Sequence, residues 1–111
     1  MKNEQLARRN WLEEMYDDGY FPDPVVDMVR DVLTDLCDAI EAQNPTDLAA
    51  LYPLTHQATE RVNALEEVFA NNGSEIETAA RECIGAEFFH IAESYGFADA
   101  DIEALIAPRD W

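Results

Sequence analysis

The chain has 111 residues, of which 24 are Asp or Glu and only 7 are Lys or Arg, for a formal net charge of −17 at pH 7. With 48% apolar residues, it has the composition of one globular domain, able to bury about 65% of its unfolded surface, and not that of a disordered chain. So few cations argue against direct nucleic-acid binding, which needs Lys and Arg on phosphates, and no apolar run approaches the roughly 18 residues of a membrane span.

The opening MKNEQLARRNWLEE lacks the apolar segment of a secretory signal and predicts a first helix around Glu4–Tyr16. The next stretch is MYDDGYFPDP, residues 15–24. Here Gly19 is expected to end helix one, and Asp23 with Pro24 to supply the N-cap and first-turn proline of helix two. Tyr20 and Phe21 are expected to plug this corner against the core; lying among aspartates, they are also candidates for a partner-binding surface. In helix two, up to Gln43, Val25, Val29, Val32, Leu33, Leu36 and Ile40 recur at three- and four-residue steps. Leu48, Leu51, Tyr52, Thr55, Val62, Leu65 and Phe69 trace helix three, which Pro53 should kink or split, because it removes a hydrogen bond and crowds the preceding turn. Ser74 and Glu77 have capping-box spacing ahead of helix four, whose stripe is Ile76, Ala80, Cys83, Ile84, Phe88, Ile91 and Tyr95. Gly73 and Gly96 stand where left-handed C-caps are wanted. A short helix around Asp99–Ala107 ends at Pro108, and Trp111, costly to leave in water, should dock on the bundle. No alternating strand is visible. The expected fold is all-α, a single antiparallel bundle of about five helices over residues 1–111.

Asp27, Asp31, Asp35 and Asp38 fall on one face of helix two. Like charges at these steps cost about 0.2–0.5 kcal/mol per pair, and Asp is a poor helix former, so helix stability alone does not select them. They form either a strip for a basic partner protein or a solvated face of a chain that is acidic throughout. Glu87 and His90 make a Glu-x-x-His step, which di-metal bundles use twice. Here it occurs once, and Glu87 and Glu93 also stand where either would form a simple ion pair with His90, which is therefore expected to be paired with a carboxylate or exposed, without a metal. Cys37 and Cys83 lie on apolar stripes, with no CxxC spacing, and are expected to be buried, reduced and unbridged in a cytoplasmic protein. No nucleotide-binding glycine motif, EF-hand spacing or recognisable nucleophile–base set is present, so no cofactor is expected.

MYDDGYFPDP, ECIGAEFFHIAESYGF and the ending IAPRDW together resemble a family of small bacterial proteins catalogued only as a domain of unknown function. The resemblance runs over most of the chain and implies a bacterial cytosolic origin, without activity, cofactor or site residues. The function expected from the residues is a non-enzymatic interaction module that binds a basic protein through its acidic face. The alternative is a small enzyme or metal-binding protein using inter-helix carboxylates and His90. The sequence sets no oligomeric state.

Overall fold

The long apolar stripes become helices, and no strand forms. The computed structural model describes residues 1–111. It holds six helices: α1 (Glu4–Ala7), α2 (Glu13–Asp17), α3 (Asp23–Gln43), α4 (Leu48–Asn71), α5 (Thr78–Ser94) and α6 (Ile102–Leu105).

The sixth helix arises because the expected first one breaks in two. At 3.6 residues per turn, Leu6 and Met15 would lie on opposite sides of a continuous helix. Both are buried, as are Trp11 and Leu12 between them. Breaking the helix at Arg8–Leu12 lets the whole set face the core. The break leaves Leu12 in the left-handed region at φ 55°, unusual for a residue with a bulky side chain.

The scaffold is the antiparallel pair α3 and α4, joined by residues 44–47. Asn44 turns the chain in the left-handed conformation at φ 49°, its N–H donating to the Ile40 carbonyl. Asp47 caps α4, its side chain accepting from the Ala50 N–H at 2.8 Å. Of the expected kink or split, the split does not occur: α4 runs unbroken through Pro53. Pro53 and Ala49 are both exposed, so the carbonyl that loses its helical donor can turn to water. The start of α3 also differs from expectation: Pro22 is the N-cap, Asp23 and Pro24 are already helical, and no side chain caps the helix. Nor does the Ser74–Glu77 capping box form; α5 starts only at Thr78, and the Ser74 hydroxyl is buried without a partner. Gly73 and Gly96 do adopt positive φ, 74° and 95°.

Helix α5 closes the core against the pair, and α6 crosses α5 at Gly85. A Cβ there would stand 3.3 Å from Ile102 Cγ2, a contact tighter than ordinary packing. His56 on α4 holds α6 through a 2.7 Å hydrogen bond between Nε2 and the Ala104 carbonyl. Trp111 docks as expected, only 4% exposed, with Arg81 Nε donating to its carbonyl at 2.9 Å. One apolar cluster of 29 residues draws on every helix and both ends of the chain.

Candidate functional site

The four aspartates of α3 keep the common face that their spacing dictates, but each meets a cation. Arg30 Nη1 lies 3.4 Å from Asp27 and Nη2 3.6 Å from Asp31. Arg61 reaches across from α4 to Asp35 at 2.9 Å. The Met1 amino group is 3.3 Å from Asp38. Asp27 also accepts a short 2.5 Å hydrogen bond from the Tyr16 hydroxyl. Burial, followed by that bond, pushes the Tyr16 pKa up to about 12. The strip therefore carries less uncompensated charge than the sequence suggests. Such exposed pairs are each worth about 0–1 kcal/mol, so they are exchangeable.

Beside the strip, the α3–α4 seam is not level with the surface. One depression of about 170 Å³ is lined by Val32, Asp35, Leu36, Leu54, Ala58 and Arg61, among others. A second of about 280 Å³ lies toward the start of α3, among Met28, Asp31, Val32, Arg61, Ala64 and Leu65. Met28 is 42% exposed, a large apolar side chain in water at the mouth of this second depression. Tyr20, 44% exposed, also faces solvent. Phe21 instead is buried edge-on against Phe69, with ring centroids 6.4 Å apart. The expected plug is thus Phe21 alone.

Glu87 and His90 separate rather than cooperate. Glu87 is the one charged side chain among the buried residues, and both its oxygens have donors. Oε1 accepts from Arg9 Nε and Nη2 at 2.9 and 2.5 Å, and Oε2 accepts from the Leu12 N–H at 3.0 Å. His90 is exposed, the second of its two expected states, and neither Glu87 nor Glu93 pairs with it. No group of three His, Cys, Asp or Glu side chains is arranged to hold a metal ion. Glu87 and His90 share a polar cleft of about 260 Å³ with Cys83, Glu13, Glu14 and Glu82. Burial, then the neighbouring Glu87 and Glu14, pushes the Cys83 thiol up to about 11, so at neutral pH it is the weakly nucleophilic neutral form. Cys37 is buried and Cys83 only half-buried; both are free.

Besides the ion pair of Asp38 with the Met1 amino group, two carboxylates fasten the N-terminal arm through hydrogen bonds, and Glu87 is one of them. The other is Glu41, near the end of α3, which accepts from the Lys2 and Asn3 N–H groups at 2.7 and 3.0 Å and from the Tyr95 hydroxyl at 2.5 Å. The Tyr95 bond leads the effects that hold Glu41 below the usual carboxylate range. Burial, then Glu41, raises Tyr95 far above an ordinary phenol. Sequence spacing does not mark either fastening, because the partners lie 38 to 78 residues apart. The only advance signal is the concentration of Lys2, Arg8 and Arg9 at the start of so acidic a chain.

The fold and its surfaces define a small all-helical protein with an acidic helix face. The chain belongs to the family described as "Family of unknown function (DUF5713)", whose model matches residues 5–111. No curated protein and no solved structure matches it. No helix is long and apolar enough to cross a membrane.

Proposed function

We propose that this protein is a non-enzymatic interaction module whose α3–α4 face docks a basic segment of a partner protein in the cytoplasm. The observation that carries the proposal is the pairing of two depressions along the α3–α4 seam, each with apolar side chains in its lining, with an acidic rim. Val32, Leu36, Leu54, Ala58 and Leu65 offer apolar floor, and Asp31 and Asp35 stand at its edge. A basic amphipathic segment would set its apolar side on that floor and its Lys or Arg on the rim. The overall charge of −17 would speed its approach. The polar cleft at Glu87 gives less support to an enzyme, because its buried carboxylate is committed to Arg9 and Leu12 and its thiol is protonated.

The test is binding of a labelled amphipathic helical peptide of leucine and arginine, followed by fluorescence anisotropy, with a scrambled peptide as control. Asp31→Asn with Asp35→Asn should weaken binding of the amphipathic peptide, chiefly by slowing association, and reduce its salt dependence. Unchanged affinity and salt dependence in the double variant, or equal binding of the scrambled peptide, would leave the acidity with a solubilising role only.

A further inference from the structure

We infer that Arg61 is a built-in occupant of the docking face, standing where an arginine or lysine of the partner would sit. This rests on the interaction reading above and adds a self-blocking contact to it. Arg61 belongs to α4, yet its guanidinium crosses the seam to donate to Asp35 Oδ2 at 2.9 Å. It lines both depressions, and Val32 is the only other residue common to the two. The Arg61 side chain is thus a bar across what would otherwise be one groove. With the bar moved, the floor would run along α3 from Met28 to Ala39, about three helical turns and long enough to seat a short helix.

The chemistry suits displacement. The Arg61 and Asp35 side chains are 49% and 57% exposed, so their pair is weak and open to water. An incoming guanidinium can take over Asp35 without leaving a buried charge unpaired, while Arg61 swings into solvent. The freed floor then receives the apolar side chains that follow the cation on the partner's helix. Arg30 makes the useful contrast. It also neutralises strip aspartates, Asp27 and Asp31, but lines neither depression.

Arg61→Gln and Arg30→Gln each add the same negative charge to the molecule, and only the first opens the groove. The same leucine–arginine peptide should bind Arg61→Gln about two- to fivefold tighter than wild type, the factor set by losing one exposed pair. Arg30→Gln should give a clearly smaller gain. With Asp35→Asn in the background, Arg61→Gln should lose most of its advantage. Equal tightening by Arg61→Gln and Arg30→Gln would reduce the effect to net charge and overturn the role given to Arg61, while leaving the docking face intact. No saturable binding to either wild type or Arg61→Gln would instead overturn the docking face itself.

Discussion

Glu87 lies 3% exposed in the core wall, and its removal would strand the Arg9 guanidinium and the Leu12 N–H together. Breaking a buried pair costs about 3–5 kcal/mol when the survivor is fully enclosed. Arg9 keeps 31% exposure and stacks toward Trp11 at 5.8 Å, so part of that cost is avoided. Glu87→Ala is therefore expected to lower stability by about 2–3 kcal/mol in urea unfolding, with exposed Glu93→Ala within about 0.5 kcal/mol of wild type. The strip gives the opposite lesson. From spacing alone, Asp31→Asn with Asp35→Asn should stabilise the free protein by relieving repulsion. In the structure the same change also removes pairs to Arg30 and Arg61. The two effects are of similar size, so the double variant should unfold within about 0.5 kcal/mol of wild type. Spacing fixes which residues share a helix face. It does not fix which cation another helix sends to that face, so the strip was legible and its neutralisation was not.

Among the elements, α3, α4 and α5 were legible because each has a long apolar stripe of helical period. The divided first helix was not, since four residues separate Leu6 from Trp11 and either a helix or a turn can carry them. Only the tertiary requirement to bury Leu6 and Met15 on one side decides. The split expected at Pro53 does not occur for a local reason: clash and lost hydrogen bond are real, but at an exposed position near the helix start the packing of α4 outweighs them. Pro53→Ala restores the missing donor and should raise stability by about 1–3 kcal/mol, read from the denaturant midpoint. The tail offers a sharper pair of variants. Deleting residues 109–111 removes the buried Trp111 and should cost about 2–3 kcal/mol. Trp111→Phe should cost under about 1 kcal/mol, because the indole N–H it removes is buried without an acceptor.

For the whole molecule, a charge of −17 on a body 40 × 28 × 20 Å makes self-repulsion the term that solution conditions change most. Raising salt to about 0.3 M should raise the melting temperature, as screening of repulsion outweighs loss of the exposed pairs. Acidification acts in two stages. Protonation of ordinary carboxylates on the way to the pI near 4.1 relieves repulsion. Glu41, whose folded pKa is lowered by Tyr95 and the arm amides, contributes stability above its unfolded pKa and loses it as pH falls through the folded one. Stability should therefore peak near pH 5–6 in urea titrations and decline in more acidic buffer. On the alkaline side the sign reverses. The Tyr16–Asp27 bond contributes fully below the unfolded phenol pKa and is lost as pH rises toward about 12. The arm also sets an order of events in time. Helices α3 and α4 meet across a four-residue connection, whereas Arg9 and Leu12 reach Glu87 over sequence separations of 78 and 75. Short-range closure is the faster step, so the α3–α4 hairpin should form in the folding transition state and the arm should dock after it. In stopped-flow chevrons, Val62→Ala should then slow folding, while Glu87→Ala should leave folding nearly unchanged and speed unfolding. The arm would thus act as a latch that governs how long the folded protein lasts rather than how fast it is made.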